Sequence, residues 1–293
     1  MDGAIVVDKP EGWTSHDAVA KMRRLANTKK IGHLGTLDPL ATGVLPLVVG
    51  RATRLAQFYT KSSKKYDALL RFGYSTDTYD RDGEPTSPKT EPLLDRTALL
   101  ELLEEFQGLV MQTPPAVSAK KVAGIPAYKL ARRQQPVELK PVEVIVYSIE
   151  LVECQGTDAR IIVHCGSGTY LRSLAHDLGQ RLGCGGFVQE LRRMESGHFN
   201  LSQARTLVQI EELAKEGRIE EALIPAAVLL PEFPNEVVDT VTANHIKQGR
   251  DFRVSPFRVR QGTKYVKAIG PEGSLLAIGE ARLPNVYHPI LVL

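Results

Sequence analysis

A glycine-rich segment near the amino terminus holds the residues best suited to chemistry. Residues 32–43 read GHLGTLDPLATG, and their glycines and proline impose a backbone with special dihedral angles around one carboxylate, Asp38. Carboxylates serve proteins as nucleophiles and general bases, although Asp-Pro also starts ordinary turns, so both readings stay open here. The segment has neither the Gly-Lys-Ser/Thr of a Walker loop nor a Gly-x-Gly-x-x-Gly dinucleotide fingerprint.

Three further segments have residues in suggestive positions. Residues 166–174, GSGTYLRSL, predict a glycine turn that leads into a helix and places Arg172 in the first turn, where an arginine commonly neutralises a carboxylate or a phosphate. Residues 64–67, KKYD, open a strand that contains Tyr66. Residues 9–15, KPEGWTS, hold the only tryptophan. Each segment also has a purely structural interpretation. Arg172 could be a surface arginine, Tyr66 an ordinary aromatic residue of a strand, and residues 9–15 a turn that closes over a core tryptophan.

Basic residues are concentrated although the net charge is only +3. Residues 20–33 and 51–66 have five basic residues each and no acidic one. Residues 118–140 and 244–267 are also rich in basic residues, with one acidic residue each. Segregated charge of this kind presents a positive face to a polyanion, and interleaved tyrosines are typical of nucleic-acid binding. Tyrosines lie in or near these stretches at Tyr59, Tyr66, Tyr128 and Tyr265. Four unrelated solvated surfaces are the alternative.

Hydrophobic periodicity predicts alternating strands and helices and two domains. A linker, LPEFP at 230–234, predicts a boundary near residue 231, which gives domains of residues 1–231 and 232–293. The predicted strands are 4–8, 44–49, 66–74, 142–153, 159–165, 264–269, 275–280 and 289–293. The predicted helices are one capped by Thr14 or Ser15, one at 51–60, one capped by Asp95, and those at 170–182, 206–215, 218–228 and 241–248.

Composition excludes several classes of protein. The chain has 293 residues, 43% hydrophobic and 24% charged, which is an ordinary globular mixture rather than a disordered one. No apolar run reaches the roughly 20 residues that span a bilayer, and we find no secretory signal. Three cysteines at irregular spacing form neither a disulfide framework nor a zinc motif, so we expect free thiols in a cytoplasmic protein without a metal site.

Taken together, these segments resemble the TruB-type pseudouridine synthases, which convert uridine 55 in the T arm of transfer RNA into pseudouridine. The resemblance covers residues 3–230 and is strongest in GHLGTLDPLATGVLPL, with support from KPEGWTS, KKY, GYSTDTYDRDG, PPAVSAKKVAGIPAYKLAR and CGSGTYLRSLAHDLG. It implies an α+β pseudouridine synthase fold, with a large, mixed, mostly antiparallel sheet, flanking helices and a central cleft. The tail from residue 232 resembles the small PUA-like β-barrel that binds RNA in many members.

The resemblance also implies catalytic roles. Asp38 matches the family's nucleophile in an isomerisation that breaks the N1–C1′ bond, rotates the uracil and rejoins it through C5, with no cofactor or metal. Whether the carboxylate attacks C6, attacks C1′ or removes a ribose proton to give a glycal stays open. Tyr66 matches the tyrosine that stacks on the uracil, and Arg172 matches the arginine that pairs with the aspartate. Tyr170 and Leu191 are expected to form walls of the base pocket.

Further residues are expected to bind the RNA. His33 matches the histidine that supports the flipped nucleotide, and Gly35 and Thr36 are assigned to the substrate pocket. Lys9, Lys64 and the bases around Lys120 are candidates for phosphate contacts, which position RNA without reading its sequence. The implied partner is the T arm stem-loop of transfer RNA, with no membrane and no obligate protein partner, and we expect a monomer.

Two other functions stay open. The chain could be an RNA-folding chaperone that binds the T arm without chemistry, in which case Asp38 would be dispensable. It could also be a hydrolase in which His33 and Asp38 act as a general-base pair, although the sequence offers no activated nucleophile or metal motif for it.

Overall fold

The computed structural model describes residues 1–118, 139–260 and 262–293, and the backbone of two short strands between the first two ranges. The predicted contributions of Lys120 and Tyr128 lie outside the described residues. The helices are α1 (Ser15–Leu25), α2 (Arg96–Glu105), α3 (Leu171–Arg181), α4 (Leu207–Lys215) and α5 (Thr240–Lys247). Short 3₁₀ helices span Gly50–Tyr59, Leu201–Gln203, Ile219–Ala222 and Ala226–Val228.

The strands are β1 (Gly3–Lys9), β2 (Ile31–His33), β3 (Thr42–Val49), β4 (Lys64–Phe72), β5 (Gly108–Gln112), β6 (Lys121–Val122), β7 (Ile125–Pro126), β8 (Val142–Gln155), β9 (Asp158–Cys165), β10 (Gly186–Ser196), β11 (Phe199–Asn200), β12 (Arg205–Thr206), β13 (Ile224–Pro225), β14 (Asn235–Val237), β15 (Phe252–Arg253), β16 (Tyr265–Ile269), β17 (Leu275–Leu283) and β18 (Val286–Val292).

One large sheet of eleven strands organises the first 230 residues. Its order is β12-β1-β3-β10-β4-β9-β8-β5, with β2 and β13 added beside β3 and β1 and with β11 beside β10. Within the described residues, its strands pair antiparallel except for β1 with β12 and β3 with β10. The predicted mixed, mostly antiparallel α+β sheet is therefore confirmed.

Alternation along β4 shows why this sheet has one buried face. Tyr66, Ala68, Leu70 and Phe72 are buried, while the residues between them are half-buried on the other face. Side chains of a strand point alternately to its two faces, so this pattern sets the register of β4 in the sheet. The buried face packs against α1, α2 and α3 in the larger of the described hydrophobic cores.

Helix α1 begins with a reciprocal cap that settles the choice between Thr14 and Ser15. The Thr14 hydroxyl accepts a hydrogen bond from the Asp17 amide, and the Asp17 carboxylate accepts one from the Thr14 amide. Ser15 is buried instead, and its hydroxyl donates to the Leu37 carbonyl at 3.1 Å and accepts from the Leu37 amide at 2.8 Å. The start of α1 is therefore tied to the residue next to Asp38.

A second sheet, in the order β14-β16-β17-β18-β15, forms the carboxyl-terminal part of the chain. It shares a hydrophobic core with the first sheet, where Ile278 and Leu291 pack in one cluster with Val44, Val48 and Leu55. The buried Lys267 ammonium also donates to the carbonyls of Ala227 and Leu229, at 3.0 and 2.8 Å. The division of the chain into domains at residue 231 stays a prediction. The two sheets share a core and buried hydrogen bonds on either side of that residue.

The predicted helix at 218–228 is wrong. Those residues form two short 3₁₀ turns separated by β13, whose Ile224 and Pro225 pair with Ala4 and Gly3 of β1. Pro225 cannot donate the hydrogen bond that a helix interior needs, and the edge of β1 offers a partner. The segment predicted as a helix at 51–60 is 3₁₀ throughout. No helix among the described residues is both long and apolar enough to cross a membrane.

We predict that deletion of residues 232–293 destabilises the remaining chain by about 5 kcal/mol or more, because it exposes several large apolar side chains worth about 1.5–3 kcal/mol each. Urea denaturation followed by circular dichroism measures the loss. Leu283→Ala is the matched control, since Leu283 is 66% exposed and its truncation should leave stability unchanged. A truncated protein with an unaltered unfolding midpoint would show that the shared core contributes nothing.

A half-buried carboxylate on α3 makes stability depend on pH. Burial raises the pKa of Asp177 to about 6 from 3.8, and no cation or hydrogen bond in the described structure offsets it. Because the folded pKa lies above the unfolded one, ionised Asp177 is a cost that is complete above pH 6 and declines as pH falls towards 3.8. Removing the charge should therefore help most at neutral and higher pH.

We predict that Asp177→Asn raises the free energy of unfolding by about 1–2 kcal/mol at pH 7.5 and by clearly less at pH 4.5. Thermal denaturation of wild type and variant at both pH values measures the difference. Glu101→Gln, on an exposed position of α2, is the control and should change neither value. An equal gain at both pH values would contradict the assigned titration.

Candidate active site

The segment that carries Asp38 is held in one conformation by its neighbours. Gly43 has φ of +98°, and a Cβ there would lie 2.2 Å from the Arg193 carbonyl oxygen, so this position requires glycine. Asp38 itself closes a turn in which its carbonyl accepts from the Ala41 amide at 3.1 Å. With Leu37 tied to Ser15, the carboxylate projects from a backbone that is fixed on both sides.

Arg172 lies in the first turn of α3 and is the buried centre of the site. Its Nε donates to Asp38 Oδ2 at 2.9 Å, and its two terminal nitrogens donate to the carbonyls of Thr78 at 3.0 Å and Val117 at 2.9 Å. The arginine side chain is only 4% exposed, whereas that of Asp38 is 33% exposed. The pair therefore presents a carboxylate to solvent while its counter-charge stays inside the protein.

A second carboxylate approaches the same guanidinium. Asp80 Oδ2 lies 3.5 Å from an Arg172 nitrogen, and Asp80 is buried. Burial raises the pKa of Asp80, while the Thr78 hydroxyl and the Arg172 charge oppose that rise. Sequence reasoning assigned no role to Asp80. The sequence did contain a pointer to Asp80, because the residue lies in GYSTDTYDRDG, one of the segments that carry the family resemblance.

Tyr66 lies on β4 within the buried face of the sheet. Burial raises the pKa of its phenol above 10, and the charge of Asp38 adds to that rise, while nearby Arg193 opposes it. The hydroxyl is thus protonated at neutral pH. Leu191 on β10 is buried in the same hydrophobic cluster, and its place in the base pocket stays a prediction.

Arg193 is a functional candidate that sequence reasoning missed. It is 1% exposed, and its guanidinium donates to the carbonyls of Gly35, Thr36 and Val44 at 3.1, 3.1 and 2.7 Å. In the sheet it lies between Gly43 of β3 and Tyr66 of β4. One side chain therefore connects the backbone before Asp38 to the strand that carries Tyr66. The carbonyls of Gly35 and Thr36 are used in this contact.

The two lysines predicted to bind phosphate differ in accessibility. Lys9 is fully buried, and its ammonium donates to the carbonyls of Pro10, Trp13 and Pro39 at 2.9, 2.6 and 3.2 Å. Burial lowers the pKa of Lys9 to about 8. Because its ammonium is fully used by these carbonyls, Lys9 is better suited to stabilising the Asp38-Pro39 turn than to binding a phosphate. Lys64 is half-buried and donates to the Ser62 carbonyl at 2.6 Å.

The two remaining predicted pocket residues, Tyr170 and His33, lie on different elements. Tyr170 is half-buried at the start of α3, where its amide and carbonyl both bond the side chain of Gln112. His33 ends β2, and its ring lies edge-on to that of His16 with 5.7 Å between centroids. Burial lowers the pKa of His33, so the imidazole is neutral at neutral pH. In the parts of the chain that are described, no three metal-ligating side chains cluster together.

Comparison with known proteins identifies the same regions. Residues 23–171 match the family model described as TruB family pseudouridylate synthase, N terminal domain, and residues 172–231 match the tRNA pseudouridylate synthase B C-terminal domain. The chain is 60% identical over 293 residues to tRNA pseudouridine synthase B of Solibacter usitatus, covering all of both proteins. It is 38% identical over 284 residues to the same-named protein of Aquifex aeolicus, covering 96% of each.

Solved structures agree on the fold. A Cbf5-Nop10-Gar1 complex contains a chain with a TM-score of 0.72 and 26% identity, covering 98% of this chain and 83% of that one. An H/ACA RNP bound to a substrate RNA containing 2′-deoxyuridine gives a TM-score of 0.73 at 24% identity, covering 99% and 84%. With family models over most of the chain and full-length relatives well above 30% identity, this chain belongs to the TruB family of pseudouridylate synthases.

Proposed function

We propose that this chain converts uridine 55 in the T loop of transfer RNA into pseudouridine. Its membership of the TruB family and the names of its relatives support this function. The observation that carries the proposal is the pairing of the partly exposed Asp38 carboxylate with the buried Arg172 guanidinium. A base brought from outside could reach this carboxylate without displacing the cation behind it.

We infer that Arg172 holds the proposed nucleophile, Asp38, in a fixed direction. Its Nε donates to one carboxylate oxygen and its terminal nitrogens donate to backbone carbonyls, so three hydrogen bonds fix the orientation of the guanidinium. Attack on C6, attack on C1′ and removal of a ribose proton all require an ionised carboxylate in a fixed direction. Cleavage of N1–C1′ then frees the uracil to rotate and rejoin through C5.

Tyr66 is suited to stacking on the uracil. Its ring lies with Leu191 in the main hydrophobic core and the residue is 9% exposed, so we propose that the uracil stacks on the small part of the ring that stays open. Because burial raises the pKa of its phenol, the protonated form favours stacking or proton relay over direct abstraction of the C5 proton.

The RNA would have to present its base by extrusion from the T loop, at a cost of a few kcal/mol. His33 is placed to support the vacated position. We propose that exposed basic side chains shortly before His33 in the chain, and others in the carboxyl-terminal part, contact phosphates of the folded RNA. These residues are Arg24, Lys29 and Lys30, and Arg253, Arg258, Arg260 and Arg282.

We also propose that the enzyme is a cytoplasmic monomer that needs no cofactor, no metal and no obligate protein partner. Its rival is a chaperone that binds the T arm without chemistry. Both functions bind RNA, so only release of the C5 hydrogen separates them.

The decisive experiment uses unmodified transfer RNA that carries tritium at uracil C5. We predict release of tritium from position 55 without added cofactor, and we predict that Asp38→Ala lowers release by at least about 1,000-fold while the Kd for RNA changes less than about threefold. Asp67→Ala is the matched control, since that carboxylate pairs with Arg160 on the other face of the sheet. Unchanged turnover in Asp38→Ala would remove Asp38 as nucleophile, and binding without any release by wild type would favour the chaperone.

Arg172→Lys tests the forked geometry. A lysine supplies charge to one acceptor but leaves buried carbonyls unpaired, and breaking a buried pair costs roughly 3–5 kcal/mol. We predict a loss in kcat of about 100-fold or more, with RNA binding retained. Arg160→Lys is the control, because Arg160 bridges Asp67 and Glu190 on the half-exposed face. Near-normal kcat in Arg172→Lys would contradict the proposed role of the pair.

A further inference from the structure

An aromatic stack lies directly behind Arg172. His176 follows Arg172 by four residues on α3, so the two side chains leave the same face of the helix. The His176 ring is stacked on the ring of Tyr79, with 3.9 Å between centroids and 11° between planes. In the described structure neither residue is hydrogen-bonded to Asp38, whose carboxylate pairs with Arg172.

Tyr79 has an unusual backbone. Its φ is +62°, in the left-handed region that side chains with a large Cβ substituent avoid. It lies between Thr78, whose carbonyl accepts from Arg172 at 3.0 Å, and Asp80, whose carboxylate lies 3.5 Å from the same guanidinium. A strained residue therefore separates two acceptors of the buried arginine, and its surroundings must stabilise the strained conformation.

The backbone of Tyr79 is only lightly anchored. Its amide donates to the Thr76 carbonyl at 3.3 Å, and its carbonyl accepts from the Val188 amide at 3.1 Å. These bonds fix the position of the peptide but would not by themselves compensate the left-handed conformation. The turn is also bonded through Asp80, whose carbonyl accepts from the Thr76 hydroxyl at 2.7 Å and whose carboxylate accepts from the Thr78 hydroxyl at 2.6 Å. The Tyr79 side chain adds its stack on His176 to these bonds.

His176 contributes a flat ring rather than a polar group. Its Nδ1 is buried and has no hydrogen-bond partner within the described structure. Burial also lowers the pKa of the imidazole, which keeps the ring neutral. A buried nitrogen without a partner is a cost that a purely polar role would not incur.

We propose that Tyr79 and His176 are positioning residues whose stacked rings hold the Thr78–Asp80 turn in its left-handed form, and so orient Arg172 and, through it, Asp38. This inference rests on the proposed function, since it concerns the same carboxylate. The competing role is direct contact of Tyr79 with the RNA.

Two substitutions at Tyr79 separate these roles. Tyr79→Ala loses the stack and keeps the strain, whereas Tyr79→Gly loses the stack and the strain together, because glycine adopts positive φ freely. For a positioning role, we expect the single-turnover rate to fall about tenfold in Tyr79→Ala and to recover to within about threefold of wild type in Tyr79→Gly, with RNA Kd within about twofold in both.

His176 supplies an independent pair of variants. His176→Ala should lower the single-turnover rate about tenfold, and His176→Phe, which keeps a flat ring, should stay within about threefold of wild type. Tyr147→Ala is the matched control, since Tyr147 contacts His164 at a centroid distance of 4.8 Å on strands away from Arg172, and its loss should leave the rate unchanged.

A spectroscopic readout keeps this test separate from the proposed function. With ¹⁵N-labelled arginine, the Nε resonance of Arg172, assigned by its absence in Arg172→Lys, reports the bond to Asp38. We expect it to shift in Tyr79→Ala and His176→Ala and to return in Tyr79→Gly and His176→Phe, even if wild type released no tritium. An unmoved resonance, a Tyr79→Gly rate as low as that of Tyr79→Ala, or a rise in RNA Kd that parallels the rate losses would overturn the positioning role.

Discussion

The site depends on a guanidinium that is buried more deeply than the carboxylate it serves. Arg172 cannot be solvated, so the protein must supply acceptors for each of its nitrogens, and the carbonyls of Thr78 and Val117 do so together with Asp38. Those acceptors come from three widely separated parts of the chain, which must all be folded before the charge is satisfied. The catalytic geometry is thus coupled to the completion of the fold around it.

A second buried arginine, Arg193, follows the same logic in the backbone that precedes Asp38. Arg193 donates to three backbone carbonyls and lies beside the Tyr66 phenol, and Lys9 donates to backbone carbonyls beside the Asp38-Pro39 turn. Carbonyl oxygens compensate these charges only in part, so positive potential is left around a single exposed carboxylate.

Local patterns predicted much of the fold, because the caps and periodicities concerned lie within one element. The helix capped by Thr14, the cap of α2 by Asp95 and a strand that contains Tyr66 are confirmed. Arg193 was not predicted: alternation places it and Arg192 on opposite faces of β10, but sequence does not say which of the two arginines is buried. Asp80 was missed for a similar reason, since its partner lies 92 positions away in the chain, at Arg172. Contacts of that separation depend on the assembled sheet.

Strand β3 has a part in both halves of the molecule. At one end it follows the Asp38 loop, and along its length Val44 and Val48 lie under the carboxyl-terminal sheet. A carboxyl-terminal sheet taken from a relative would therefore have to match the surface of a strand that also follows the Asp38 loop directly. Substitutions in the carboxyl-terminal sheet are therefore constrained on the face that packs against β3, and they are tolerated more easily on its outward face.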